Sequence, residues 1–257
     1  MLRSLKDIIG YALRGTDDEI GKCHDFLFDD RQWGIRYMVA DTGNWLPGRK
    51  VLVSPITLGK PGRKNRKFNV ALSRKQIENC PPLDKDMPVS REYEKRWFDH
   101  FGFPYYWDGN LGLWGMSGHP IALYQHSLQE RIPENMEPGQ ENKPDQENHL
   151  RSVREIKGYD IRASDESIGH VEDMIADDET WAIRYIVADT RNWLPGGKKV
   201  LVYQKDIEDV SWKHRTLGLS IDSESVRNSP EYEPSMPINQ VFEIRRYDFY
   251  GRPHDIP

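Results

Sequence analysis

Along residues 33–41, WGIRYMVAD, Trp33, Ile35, Tyr37 and Val39 fall on one face of an extended strand and Arg36 on the other. The run before it, 20–28, ends at Asp29-Asp30-Arg31-Gln32, and turn-forming aspartates between two such runs predict a β-hairpin. Asn44-Trp45-Leu46-Pro47-Gly48 breaks the ladder and reads as a loop; Val51-Leu52-Val53 and residues 68–72 predict further strands. Ser73 with Gln76 forms a capping box for a short helix, and Ser90 caps a second over 91–98. The fold class expected is mainly β, a small antiparallel barrel with short C-terminal helices.

The pattern occurs twice. Residues 2–48 and 150–196 align without a gap at an offset of 148, with 26 of 47 pairs identical. One extra residue near Gly197 moves the offset to 149, and the second copy then replaces the Ser73 cap with Asp222 and the Ser90 cap with Asn239. A unit of this length is a duplicated domain, since solenoid repeats have periods of about 20–50 residues. The expected organisation is unit 1 over 1–104, an aromatic and glycine-rich extension over 105–125, a flexible linker over 126–149 and unit 2 over 150–257, each unit folding on its own.

Composition adds little to the fold and something to the function. Hydrophobic residues make up 37% and the mean hydropathy is −0.78. With no long apolar run there is no membrane span, and the first residues, which recur inside the chain at 150–162, read as domain and not as a targeting signal. Two cysteines, Cys23 and Cys80, make neither a disulfide framework nor a CxxC metal motif, which suits a cytoplasmic protein with reduced thiols. The net charge of −5 conceals an asymmetry: +5 over 1–104, −5 over 105–149 and −5 over 150–257. Opposite signs on the two units favour self-association.

Catalytic chemistry is not visible. The eight histidines are scattered, and no GxSxG, HxxxH, GxGxxG or P-loop pattern occurs. Asp29-Asp30 and Asp177-Asp178 read as turn residues, with an ion site as the alternative. Arg36 and Arg184 read as cross-strand partners of Asp25 and Asp173. No catalytic, cofactor or metal residue is assigned; an unrecognised hydrolase-like activity is the remotest alternative.

The segment 15–55, GxDDEIGKCHDFLFDDRQWGIRYMVADTGNWLPGRKVLVSP, with its second copy, resembles the PRC-barrel domain, the β-barrel found in the photosynthetic reaction-centre H subunit and in RimM-type ribosome-maturation factors. The resemblance covers about 2–104 and 150–253. The chain lacks the membrane helix of the former and the preceding unrelated barrel of the latter, and is more similar to tandem, stand-alone PRC-barrel proteins. What this implies is a binding or assembly module without transferred catalytic residues.

Candidate contacts lie in the loops and where the copies diverge. Trp45 and Trp193, in the NWLPG loops, either cap a barrel mouth or serve as exposed anchors. Lys60, Arg63, Lys64, Arg66 and Lys67 put five cations in eight residues, where the second copy has Asp209 opposite Lys60 and Trp212 opposite Arg63. The extension carries Trp107 and Trp114, either packed on a barrel or forming a partner surface. The function expected is an adaptor acting through protein–protein contacts; the alternative is an RNA- or ribosome-associated factor using the 60–67 loop.

Overall fold

The computed structural model describes residues 1–81, 83, 89–103, 105, 149–191, 193 and 196–234. The expected helix after Asn239, the linker except its last residue, and Trp107 and Trp114 lie outside the described residues. The first half of the chain forms β1 (Leu2–Ser4), α1 (Leu5–Ile8), β2 (Ala12–Arg14), β3 (Glu19–Asp29), β4 (Gly34–Asp41), β5 (Lys50–Val53), β6 (Lys67–Asn69), α2 (Arg74–Asn79) and α3 (Arg91–Phe101). The second forms β7 (Leu150–Ser152), α4 (Val153–Ile156), β8 (Asp160–Arg162), β9 (Ser167–Asp177), β10 (Ile183–Asp189), β11 (Lys199–Tyr203), β12 (Ile207–Ser211), β13 (Thr216–Leu219) and α5 (Ser223–Asn228). No helix among the described residues is long and apolar enough to cross a membrane.

The protein is mainly β, with two sheets. One has the order β5-β4-β3-β2-β6 with β7 also on β3; the other has β11-β10-β9-β8-β13-β12 with β1 also on β9. Neither closes into a barrel by its ladders, which departs from the expected closed barrel. In the second sheet a 3-10 turn after β11, Gln204–Asp206, leads directly into β12 at the opposite end of the same sheet.

The compact units interleave the two sequence halves. One comprises Met1–Asp7, Val153–Asp177 and Ile183–Pro257, the other Ile8–Ser152 and Asp178–Ala182. This differs from the contiguous division at 1–104 and 150–257, and the reason lies in the long hairpin strands. β9 has eleven residues, and β8 pairs only with its first part, from Ser167 to His170. The rest would be an open strand edge, which native sheets cover. β1 covers it, Leu2, Arg3 and Ser4 lying opposite Asp177, Ala176 and Ile175. In the β3 unit, β2 stops at Lys22 and β7 takes over, with Leu150, Arg151 and Ser152 opposite Asp29, Phe28 and Leu27. Each sheet is thus completed by a strand from the other sequence half.

Both faces of the β3–β4 hairpin are buried. Leu27, Tyr37, Val39 and Leu52 pack with Tyr93, Trp97 and Phe98 of α3 and with Leu150. Phe26 instead meets the ring of Trp181 at 5.8 Å, and Phe68 meets it at 6.1 Å. The hairpin, the capping box at Ser73 and the cap at Ser90 all occur as the pattern predicts. Simple alternation does not: the β3–β4 register shifts between Ile35 and Tyr37, α3 covers the face of Tyr37 and Val39, the opposite face carries the buried Met38 and Ala40, and Arg36 is only 7% exposed. In the β9 unit, Ile175, Tyr185, Val187, Leu201 and Tyr232 form the corresponding core cluster, with Leu2 of β1 packed against it.

Candidate interaction site

The two NWLPG loops start from the same residues and end in different places. In the first, Thr42 Oγ1 donates to the carbonyl of Leu46 at 2.7 Å, and the indole of Trp45 donates to the carbonyl of Ile20 at 3.1 Å. The Arg74 guanidinium lies 5.1 Å from the Trp45 ring centroid. Arg74 is itself held, donating to the Glu19 carbonyl at 2.9 Å and pairing with Asp18 at 2.8 Å. Its backbone N–H bonds Asp17, which holds that carboxyl below its ordinary value. Trp45 is therefore a half-buried cap over its own strand end.

Trp193 is 47% exposed. Two substitutions and one insertion explain the difference. The counterpart of Arg74 is Ser223, whose hydroxyl donates to Asp165 at 2.7 Å, so no guanidinium is available at that position to cover an indole. The counterpart of Gly43 is Arg191, which turns back on Asp189, its Nε 2.9 Å from Oδ1. This hydrogen-bonded pair pulls the Asp189 carboxyl down to about 2. The extra residue, Gly197, passes so close to Thr190 that a Cβ would sit 2.2 Å from its carbonyl oxygen. The loop is thus reshaped by an insertion that only glycine accommodates, and Thr190 anchors it by donating from Oγ1 to the Lys198 carbonyl at 2.8 Å.

The basic loop also has a local cause. The second copy makes β12 here, paired to β13, whereas the first has Lys60-Pro61-Gly62, and proline cannot donate to a ladder. Only isolated bridges remain, Leu58 with Val70 and Gly62 with Lys67. The five cations separate into two groups. Lys60 pairs with Glu179 at 2.5 Å, and Arg66, at φ 49°, stacks 4.9 Å from the Tyr11 ring centroid. Arg215 repeats the second arrangement over Tyr159 at 5.3 Å, so Arg66 belongs to the fold. Arg63, Lys64 and Lys67 are exposed and have no acidic partner among the described residues.

The paired aspartates serve the turns and the donated strands. Asp29 Oδ1 accepts from the backbone of Arg31 at 3.0 Å and of Gln32 at 3.1 Å. Asp30 holds Arg151, next to the donated β7 ladder, at 3.1 Å. Arg36 pairs with Asp29 at 3.3 Å, because the β3–β4 register sets Ile35 opposite Phe28 and Tyr37 opposite Leu27, nearer the turn than Asp25. Asp25 accepts from the Ser152 hydroxyl at 2.5 Å, and Asp173 from Ser4 at the same distance. This use of Asp25 and Asp173 is absent from the sequence reading, although the identity of both serines and both aspartates in the two copies is its signal. Among the described residues no cluster of histidine, cysteine or acidic side chains could hold a metal ion. A polar recess of about 260 Å³ bounded by Arg14, Asp17, Asp18, Glu19 and Lys67 has its acids next to the Arg74 knot just described.

A family model for the PRC-barrel domain matches residues 149–216. That span runs from the donated strand β7 through β12 to the start of β13, and includes the exposed Trp193. No curated protein matches the chain.

Proposed function

We propose that the chain is a non-catalytic binding and assembly module, a tandem pair of PRC-barrel-type units that works in the cytoplasm through protein–protein contacts. The observation that carries this reading is the exposed indole of Trp193, in a loop whose twin holds its tryptophan down by a hydrogen bond and a guanidinium. A large, stiff aromatic group left in solvent by an anchored loop is the kind of side chain that dominates interface energy, at about 2 kcal/mol or more. The sequence repeat over 2–48 and 150–196 and the recurrence of strand order in both sheets support the tandem reading.

The test compares Trp193→Ala with Trp45→Ala. Tagged chains capture partners from native lysate, identified by mass spectrometry, with thermal melting measured alongside. Trp193→Ala is expected to lose a captured protein while melting as the parent does; Trp45→Ala is expected to lower the melting temperature. Retention of every partner by Trp193→Ala would refute the assignment.

The three exposed cations without acidic partners, Arg63, Lys64 and Lys67, favour a second reading, an RNA- or ribosome-associated factor. Its mark is capture abolished by nuclease and by neutralising these three residues together, with a steep fall as salt rises.

A further inference from the structure

We propose that the β9 edge filled by residues 1–7 also accepts residues 1–7 of a second copy of this chain, so that the protein forms a strand-exchanged dimer. This inference is independent of the Trp193 reading and rests on how the two sheets are completed.

The donor strands are the same tripeptide, Leu2-Arg3-Ser4 and Leu150-Arg151-Ser152. Their acceptors match as well: the leucine lies opposite Asp177 or Asp29, and the serine hydroxyl binds Asp173 or Asp25 at 2.5 Å. The local chemistry of a slot therefore does not distinguish one donor from another, and only the path of the chain selects which strand fills it. The compact units change over between Asp7 and Ile8 and again between Ser152 and Val153, at the ends of the donated segments. Exchange of an identical element between copies creates no new contact type, and is for that reason a low-cost route to a dimer.

Residues 1–7 are held by the same kinds of contact whichever copy supplies them. The contacts include a three-residue ladder, the Ser4 hydroxyl and Lys6 N–H bonds to Asp173, a Lys6–Glu172 ion pair at 2.5 Å, Met1 N on Asp177 at 3.3 Å, the packing of Leu2 and the fully buried Leu5. Both charged contacts are solvent-exposed on one side, Lys6 at 50% and Met1 at 63%, and such pairs contribute little. Emptying the slot withdraws Leu5 from the core, and refilling it from a second copy restores the same contacts, so exchange alters only which chain supplies the strand.

The Lys6–Glu172 contact supplies its own reporter. Unsubstituted full chains, one natural-abundance and one uniformly heavy-isotope labelled, are mixed and incubated across a concentration series. A zero-length carbodiimide then joins Lys6 to Glu172, and the digest is read by mass spectrometry. A linked peptide with one light and one heavy half reports a strand supplied by another copy. The fraction of mixed Lys6–Glu172 links is expected to rise with concentration toward the statistical limit, and to fall when a synthetic peptide of residues 1–7 is added. Links from the exposed Lys213 to Glu172 in the same digest measure random collision. Mixed Lys6–Glu172 links no more frequent than those, at every concentration, would overturn the proposal.

Discussion

The hydroxyl of Tyr37 donates to Glu94 Oε1 at 3.0 Å, and Arg91 holds the other carboxylate oxygen at 2.9 Å, so strand β4 and helix α3 meet through a buried acid. Tyr37 is 0% exposed and Glu94 2%. Removing the acid takes a hydrogen-bond acceptor away from a fully buried tyrosine hydroxyl. Glu94→Ala is expected to cost about 3 kcal/mol or more, and Glu94→Gln, which keeps an acceptor for Tyr37, distinctly less. Urea unfolding of the two variants checks this; equal midpoints would show that the carboxylate is not what joins sheet to helix.

Gly21 and Gly169 occupy matching places, each with its backbone close against the neighbouring hairpin strand. Their φ angles are +134° and +151°, and a Cβ would lie 2.0 Å from the Asp41 carbonyl oxygen or 2.2 Å from that of Asp189. Alanine at either site must push the strands apart as well as strain the backbone, so each substitution should cost more than the ~1–3 kcal/mol of backbone strain alone. Thermal melts of Gly21→Ala and Gly169→Ala should fall together, and a parent-like melt for either would contradict the close approach.

Trp181 is 1% exposed and lies between Phe26 and Phe68, although it comes from the second half of the sequence. Trp181→Ala should leave a cavity in the β3 unit and destabilise by about 3–5 kcal/mol. Hydrogen exchange locates the damage: amides of β3 and β6 should lose protection. Loss confined to β9 and β10 would mean that the side chain serves its own repeat.

Asp173 makes stability depend on pH in a chosen direction. Burial raises its carboxyl from 3.8 to about 6, against the hydrogen bonds from Ser4, Lys6 and Met174, while Asp7 raises it further. Lys6 and Tyr232 also face it, the tyrosine pushed up to about 12, first by burial and then by these two acids. The folded chain binds this proton more tightly than the unfolded chain, so its contribution is fully present below about pH 4 and is lost as pH climbs through about 6. Asp189, lowered to about 2 by Arg191, acts oppositely and only in stronger acid. Asp173→Asn should flatten the profile between these limits when urea midpoints are measured across pH. An unchanged slope would assign the dependence to another group.

Much of the local structure was legible in the chain. The Asp29-Asp30 turn and the strand pattern around it predict the hairpin, and Ser73 with Gln76 predicts the capped helix that forms. The strand exchange was hidden by the same repetition that revealed the units: when Leu-Arg-Ser occurs identically twice, neither pattern nor propensity says which edge each copy covers. Arg36 was expected to pair with Asp25, but periodicity within one strand does not report the register shift between Ile35 and Tyr37, and Arg36 meets Asp29 instead. The basic loop was read as five equivalent cations, and tertiary partners, Glu179 for Lys60 and Tyr11 for Arg66, divide them. Trp45 and Trp193 share the motif NWLPG, and their different fates depend in part on position 74 and its counterpart 223, far along the chain.

The crossing of strands between the sequence halves bears on how this chain can change over time. Two independent copies can be reduced to one by a deletion, with the survivor intact. Here, loss of residues 1–7 with the first copy would leave the far half of β9 uncovered, and loss of 150–152 would do the same to β3. The exchange acts as a ratchet: once each copy completes its neighbour, selection on folding alone retains both, and either is free to diverge at its loops while remaining indispensable as a donor.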